Sequence, residues 1–288
     1  MRPRRGRGAR VAAGREATAF SRPKEIAVGL MQEIRSFPVP RKSVAMWWLG
    51  QSGYIFKTAE GTLASVDLYL TDSCANLVPG MNLSRQVPIL LKPQETEVDL
   101  FICTHSHQDH ADPETIGALR NKDTAIFAGP CQACDVFRGR AIEDSRIRTT
   151  WPKSELQFRD IHIRGMFALP TDDTDLNHMG FIFQFGGGPR VYVTGDTDFS
   201  ELLYSAAQYT PDLVITVVNG GFNNLSHWEA ADVVGRIKPR AAIPCHYDMF
   251  PDNSVDPLQF RSAMRMRAPG VAYQQLEHGK VFVFSREA

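Results

Sequence analysis

Residues 104–110 read Thr-His-Ser-His-Gln-Asp-His, so three histidines and one aspartate fall within six consecutive positions. Folding does not require such a cluster, whereas imidazole and carboxylate groups together are the ligands that first-row divalent metals prefer. The apolar run Val-Asp-Leu-Phe-Ile-Cys over residues 98–103 precedes the cluster and is typical of a buried strand. The cluster therefore lies where a strand ends and a loop begins, a frequent position for chemistry held on a rigid scaffold.

The spacing within the cluster favours metal binding. In an extended segment His105 and His107 point to the same side, because side chains alternate with a period of two, so both can reach one metal ion. The chain must then turn so that Asp109 and His110 face a second position nearby. The alternative interpretation is a polar loop that carries histidines by chance, which four potential ligands in six residues argue against.

The pattern His-x-His-x-Asp-His after an apolar strand resembles the signature of the metallo-β-lactamase superfamily. The resemblance implies an α+β fold, a four-layer αββα sandwich in which helices cover two facing sheets. It also implies a downstream histidine, a bridging aspartate and a last histidine, each at a strand end. The matching residues are His178, before a run of alternating aromatic residues, Asp196, after residues 190–195, and His246, after residues 241–245.

The resemblance also implies which residues hold two divalent metal ions. His105, His107 and His178 would hold the first ion. The resemblance implies Mn²⁺, with Zn²⁺ as the alternative, because mixed nitrogen and oxygen ligands suit either ion. Taken alone, a histidine such as His178 on a strand is more often a packed side chain than a ligand.

Asp109, His110 and His246 would hold the second ion, and Asp196 would bridge the two. Asp109 and Asp196 are also the predicted catalytic residues. Taken singly, Asp196 could be a turn residue after a glycine and His246 could cap a strand. Their order and their places at strand ends favour the metal site instead. Asp67, at the end of an earlier apolar strand, is predicted to orient a ligand rather than to bind metal.

A narrower similarity extends over most of the chain, from about Val44 to Phe260. Residues 45–50 and 243–248 resemble the opening and closing segments of the L-ascorbate-6-phosphate lactonase branch. The resemblance implies a hydrolase that opens a lactone ring, such as that of a phosphorylated sugar acid, by attack of a metal-bound hydroxide. Three alternatives stay open: a phosphodiesterase or thioesterase of the same fold, a non-catalytic metal-binding protein, and a redox protein that uses Cys131 and Cys134.

The long segment 70–94 lacks periodicity and contains three prolines, so we expect a functional loop that overhangs the metal ions. A phosphorylated substrate would need a group that binds its phosphate. Arg85, Lys92 and a helix start after residues 223–224 are possible donors. Each is better explained as an ordinary surface charge or a turn, so none of them is included among the predicted site residues.

Composition and charge limit the classes of function. Six arginines and no acidic residues lie in residues 1–15, whereas the remainder holds 26 basic and 32 acidic residues, a net charge of −6. An acidic body argues against a nucleic-acid partner, and no apolar stretch approaches the roughly 18 residues of a membrane helix. We predict a disordered tail over residues 1–20, a single hydrolase domain over residues 21–288, a small-molecule substrate and a homo-oligomer.

The five cysteines bear on location and on redox chemistry. An odd number of cysteines without a recognisable signal segment suggests a reducing compartment, so we predict a cytoplasmic protein. Cys131-x-x-Cys134 has no second cysteine or histidine pair spaced for structural zinc. The pair is therefore interpreted as a helix start packed with small residues.

Periodicity predicts strands and helices in alternation. A first sheet begins with strands at about 44–49, 53–57 and 62–67, and a second sheet takes strands near 146–150, 154–168, 178–185 and 190–194. Helices are predicted near 113–120, 199–207, 226–237 and 256–267. The sequence from Ser226 to Glu229 predicts a capping box at the start of the third of these helices. A hairpin turn is predicted at His278.

Overall fold

A computed structural model describes residues 29–286, which form two seven-stranded sheets. The strands of the first sheet are β1 (Ser43–Trp48), β2 (Tyr54–Thr58), β3 (Leu63–Val66), β4 (Leu100–Ile102), β5 (Ile126–Gly129), β6 (Ile147–Thr149) and β14 (Val281–Ser285). They lie in the order β14-β1-β2-β3-β4-β5-β6. Strands β14 to β3 pair in antiparallel fashion and β3 to β6 pair in parallel.

The second sheet also contains both antiparallel and parallel strand pairs. Its strands are β7 (Glu155–Phe158), β8 (Ile161–Phe167), β9 (Met179–Phe185), β10 (Arg190–Val193), β11 (Leu213–Val217), β12 (Ala241–Cys245) and β13 (Ala272–Tyr273). They lie in the order β13-β12-β11-β10-β9-β8-β7. The first four in sequence are antiparallel, and β10 to β13 are parallel.

Five α-helices are present in the described part of the chain: α1 (Leu30–Ser36), α2 (Pro113–Ala118), α3 (Cys131–Gly139), α4 (His227–Ile237) and α5 (Pro257–Arg267). Short 3-10 helices cover Pro93–Glu95, Asp144–Arg146 and Glu201–Tyr209. None of the helices in residues 29–286 has the length and apolar character that crossing a membrane requires.

The two sheets face each other across one apolar core. Phe56 of β2 lies with its ring centroid 5.5 Å from that of Phe183 on β9. Helices α4 and α5 pack on the outer face of the second sheet, and α1, α2 and α3 pack on the outer face of the first. The predicted four-layer αββα sandwich is therefore confirmed.

Several local predictions are confirmed and others are wrong. Ser226 caps α4 in the predicted capping box with Glu229, and α3 begins at Cys131. The predicted strand 154–168 is instead the hairpin of β7 and β8, and the apolar positions change from even to odd numbers across its turn. The predicted helix near 199–207 is a 3-10 helix over Glu201–Tyr209.

Two predictions about connectivity are also wrong. Strand β6 joins the first sheet, because it pairs with β5 rather than with a strand of the second sheet. His278 does lie in a turn, but the turn connects β13 of the second sheet to β14 of the first, so it is not a hairpin. The predicted tail, residues 1–20, lies outside the described residues.

Candidate metal centre

Strand ends bring the predicted site residues together at one edge of the sandwich. Asp67 follows β3, residues 104–110 follow β4, Asp196 follows β10 and His246 follows β12. The carboxyl ends of neighbouring parallel strands meet at the same edge of a sheet, which explains most of this convergence. His178 lies just before β9, and because β9 runs antiparallel to β10, its start lies beside the end of β10.

The potential ligand atoms form three overlapping groups, each with its atoms within 4.8 Å of one another. His105 and His110 connect the groups, since each belongs to two of them. All seven residues that the sequence predicted as ligands are placed in this cluster. The groups are His105, His107 and His178; His105, His110 and Asp196; and Asp109, His110 and His246.

His105 and His178 are buried and each is oriented by its Nδ1 atom. Nδ1 of His105 lies 3.0 Å from the Thr104 hydroxyl, and Nδ1 of His178 lies 3.0 Å from the carbonyl oxygen of Asp196. Burial lowers the pKa of His105 well below its ordinary value and also lowers the pKa of His178. Both imidazoles are thus favoured as neutral groups with Nε2 directed into the cluster, which is the form that ligates metals.

His107 is more exposed and is oriented from the opposite nitrogen. Its Nε2 atom lies 3.0 Å from the hydroxyl of Thr174 and 3.4 Å from a carboxylate oxygen of Asp172. These contacts leave Nδ1 as the nitrogen of His107 that would face a cation shared with His105 and His178.

His110 and His246 lie among carboxylates. Nε2 of His110 is 3.5 Å from Asp109 and 3.3 Å from Asp196, and Nε2 of His246 is 3.4 Å and 3.2 Å from the same two residues. Burial would lower the pKa of each histidine, but Asp196 and Asp109 outweigh burial and raise that of His110 well above its ordinary value and that of His246 to about 9. This part of the cluster therefore strongly favours positive charge.

Asp67 fixes the orientation of His110, as the sequence predicted. One of its carboxylate oxygens accepts hydrogen bonds from Nδ1 of His110 (2.9 Å) and from the hydroxyl of Thr104 (2.7 Å). The other oxygen accepts from the backbone N–H of Thr104 at 2.7 Å. Asp67 itself has a left-handed φ of 49°, a conformation that aspartate tolerates better than most residues.

The donor atoms fit a divalent cation. Within residues 29–286, the Nε2 atoms of His105, His110 and His178 and Oδ1 of Asp196 are buried without a hydrogen-bond partner. Buried polar atoms are normally paired, and unpaired ones call for an explanation such as an ion. The ligand atoms of His105, His110 and Asp196 lie within 4.8 Å of one another, and such a set of imidazole nitrogens and a carboxylate oxygen is one that Zn²⁺ and Mn²⁺ accept.

The sequence profile of the beta-lactamase superfamily domain matches residues 45–246. The chain belongs to this superfamily. It is a hydrolase of the metallo-β-lactamase fold, as the histidine cluster predicted.

Relatives within the superfamily are distant. A metal-dependent hydrolase of Anaeromyxobacter sp. (strain K) is 26% identical over 256 residues, which cover 85% of this chain and 88% of the relative. A protein named "probable L-ascorbate-6-phosphate lactonase" from Salmonella heidelberg (strain SL476) is 24% identical over 304 residues, with 90% of this chain and 85% of the relative covered. Both alignments cover most of this chain and most of the relative.

Solved structures support the fold. A metallo hydrolase from the archaeon Ignicoccus hospitalis superposes with a TM-score of 0.68 at 19% sequence identity, and the match covers 84% of this chain and 99% of that one. At this identity the likeness bears on the fold alone.

Two polar residues that sequence reasoning missed hold the carboxylates of this superfamily site. The amide nitrogen of Gln51 lies 2.7 Å from Oδ2 of Asp109 and 2.8 Å from Nε2 of His246. The amide of Asn224 donates to Oδ2 of Asp196 at 2.6 Å. Gln51 is buried and follows the end of β1 in a glycine-flanked turn with φ of 51°. A polar residue between glycines after an apolar strand was a signal that could have marked it as a candidate, although not its partners.

A cavity of about 490 Å³ opens onto the cluster. His107, Asp109, Asp196 and His246 line its base. Side chains between residues 74 and 83 form one wall, so the loop 70–94 does overhang the candidate metal centre as predicted.

Proposed function

We propose that this chain hydrolyses a lactone or a related carboxylic ester with the help of two divalent metal ions. One observation carries the proposal. Seven side chains that offer potential ligand atoms come together from both sheets, four of them line a cavity, and four of the buried atoms in the group lack hydrogen-bond partners.

Two groups of residues would hold the ions. His105, His107 and His178 suit one ion, and Asp109, His110 and His246 suit the other. Asp196 is close enough to the atoms of both groups to bridge them. Mn²⁺ or Zn²⁺ bound here would supply Lewis acidity towards a water molecule and towards the substrate oxygen that gains charge.

The carboxylate of Asp196 is suited to orient an attacking water molecule and to accept a proton from it. Asn224 fixes its Oδ2 atom, while Oδ1 has no hydrogen-bond partner and the residue lines the cavity. Burial would raise the pKa of Asp196, but His246 and His110 outweigh it and hold that pKa well below its ordinary value. An ionised Asp196 can orient an attacking water and accept its proton, as general base catalysis requires.

Asp109 would act mainly by positioning. Its Oδ2 atom accepts a hydrogen bond from Gln51 and faces both His110 and His246. Burial would raise the pKa of Asp109, but His110 and His246 outweigh it and keep this carboxyl ionised. The negative charge of Asp109 then contributes to holding the second cation.

The similarity to a lactonase relative favours ring opening over transfer at phosphorus. Hydrolysis of a lactone adds water across the ring ester and releases one molecule that carries both a carboxylate and an alcohol. A phosphorylated sugar acid such as L-ascorbate 6-phosphate is one candidate substrate by this similarity.

The test compares a panel of lactones with a panel of phosphodiesters and one of thioesters. The enzyme is first treated with a chelator and then reconstituted with Mn²⁺ or Zn²⁺. We expect acid release from lactones, no activity in the chelated protein and recovery after metal addition. Phosphodiester or thioester turnover without lactone turnover would refute lactone hydrolysis, and activity that survives chelation would refute the role of metal.

The proposal also includes the predicted small-molecule substrate, homo-oligomer and cytoplasmic location. A small-molecule substrate agrees with a cavity of about 490 Å³. The homo-oligomer and the cytoplasmic location remain predictions, which light scattering of the purified protein and fractionation of the source cells would test.

A further inference from the structure

The residues that line the cavity indicate which class of substrate it can bind. This inference rests on the proposed function. We propose that the part of the substrate beyond the scissile bond is uncharged and apolar, such as an alkyl or acyl chain. A phosphorylated sugar acid is therefore not the preferred substrate. Three features of the cavity support this proposal.

The first feature is an apolar wall. Leu77, Val78 and Leu83 of the long loop face the cavity together with Phe250 and Phe222. Leu83 and Phe250 belong to a small hydrophobic cluster of their own, which also includes Tyr69, Cys74 and Met249. This cluster holds the loop in place, so the wall is a packed surface.

The second feature is the charge of the lining. None of the described residues that line the cavity is a lysine or an arginine, and Asp172 lies at the same surface, beside His107. A phosphate group carries negative charge and is normally bound by Arg, Lys or a helix N-terminus. Apart from the metal centre, the described lining offers no cation to a phosphorylated substrate and places a carboxylate near it.

The donors that the sequence suggested for a phosphate are already engaged elsewhere. The guanidinium of Arg85 donates to the carbonyl oxygens of Val87, Tyr69 and Leu49 at 2.9, 2.7 and 3.0 Å. Lys92 is exposed and is not part of the cavity lining. Arg85 thus stabilises the long loop rather than binding an anion.

The neighbouring amides are engaged as well. Asn224 donates to Asp196, and Asn223 donates to the carbonyl oxygen of Thr171 at 2.8 Å. Helix α4 begins at His227, and its N-cap Ser226 already accepts from the N–H of Glu229. The side-chain amides of the suggested phosphate site are therefore engaged within the protein, and the first residues of α4, His227 and Trp228, are not part of the described cavity lining.

The third feature is the backbone of Phe222. It has a left-handed φ of 51° and is followed by Asn223 at 59°. A bulky residue in this region is uncommon and carries strain, whereas Asn or Gly adopts it more readily. A large aromatic side chain that is 45% exposed at the cavity, in spite of this strain, suggests that the aromatic surface itself is used.

The experiment uses two substrate panels on the full-length, metal-loaded enzyme. One panel contains γ-lactones with methyl, butyl or octyl substituents, together with the same ring carrying a phosphomonoester. The other contains alkyl p-nitrophenyl phosphodiesters with the same chain lengths. We expect kcat/KM to rise roughly two- to fourfold per methylene, until the chain fills the cavity, because each buried methylene favours the bound state.

Three variants locate the effect. Leu77→Lys places a cation in the wall, and Phe222→Asn removes the ring while relieving the backbone. Both variants should weaken the dependence of kcat/KM on the chain length of the substrate. The Phe222→Asn variant should also unfold at no lower a temperature than the parent protein. The matched control is Leu202→Lys, which changes an exposed leucine outside the cavity lining and should keep the parental dependence.

The outcomes separate the two proposals. A steep dependence on chain length in either panel, lost in the wall variants, supports the apolar site, and the panel that is turned over decides the reaction type. A flat dependence in the parent enzyme overturns the inference even if lactones are hydrolysed. Preference for the phosphorylated lactone over the octyl lactone overturns it as well, and no turnover in either panel contradicts both proposals.

Discussion

Asp67→Asn should weaken metal binding while leaving the fold intact, so it tests the metal centre separately from the stability of the protein. Asparagine has nearly the same shape as aspartate and tolerates the left-handed φ of 49° at this position. One oxygen remains to accept from the backbone N–H of Thr104. The other oxygen, which accepts from Nδ1 of His110 at 2.9 Å, is replaced by an NH₂ group that only donates.

The substitution should change which ring nitrogen of His110 carries the proton. Beside a carboxylate, Nδ1 carries the proton and leaves the lone pair of Nε2 for a cation. Beside an amide NH₂, the neutral ring is stabilised by carrying its proton on Nε2, which then cannot ligate. Loss of a partner that orients a ligand typically weakens metal binding about 10- to 100-fold, which corresponds to about 1.4–2.7 kcal/mol.

The assay is a competition titration of the metal-free variant with a chromophoric chelator and Mn²⁺ or Zn²⁺. We expect the second equivalent to bind about 10- to 100-fold more weakly than in the parent protein and the first to change little. Asp99→Asn is the matched control, because Asp99 lies at the other end of β4 and accepts from Leu63 without contact to a ligand. Parental affinity of Asp67→Asn for both equivalents would refute the reasoning.

Three further predictions follow from the same geometry. Asp196→Ala and His107→Ala should each lower kcat by at least about 10²-fold while circular dichroism shows a folded protein, and near-parental rates would contradict the site assignment. Gly195→Ala should lower the free energy of unfolding by about 1–3 kcal/mol in urea titrations. The reason is that φ of Gly195 is +64° and an added Cβ would lie 2.4 Å from the carbonyl oxygen of Met179. An unchanged urea midpoint would show instead that the turn relaxes. Cys131→Ser combined with Cys134→Ser should leave turnover unchanged, because neither residue lines the cavity and Cys134 lies on the buried face of α3. A large loss of turnover would revive the redox alternative.

Much of the site could be predicted because its ligands lie at strand ends. His105, Asp196 and His246 each come directly after or near the end of an apolar run, and the carboxyl ends of parallel strands meet at one edge. The motif of residues 104–110 supplied His107, Asp109 and His110, whose donors are close in sequence, and the resemblance to the superfamily supplied His178. These predictions depended on local pattern, on general rules of topology and on the resemblance to the superfamily.

The missed features depend on contacts between distant segments. Gln51 reaches Asp109 across 58 positions and His246 across 195, and no local pattern pairs them. The engagement of Arg85 by three carbonyl oxygens is equally invisible in sequence, which is why it was considered as a phosphate donor. The turn between β7 and β8 was different, because the shift in apolar positions between Phe158 and Ile161 indicated it.

The central claim is that two cations lie among the side chains that follow β4, β10 and β12 and the side chain of His178, which precedes β9. Anomalous diffraction from crystals of the metal-loaded protein, recorded on both sides of the manganese or zinc absorption edge, tests it most directly. We expect two peaks, one among His105, His107 and His178 and one among Asp109, His110 and His246. A single peak, or peaks away from these residues, would contradict it.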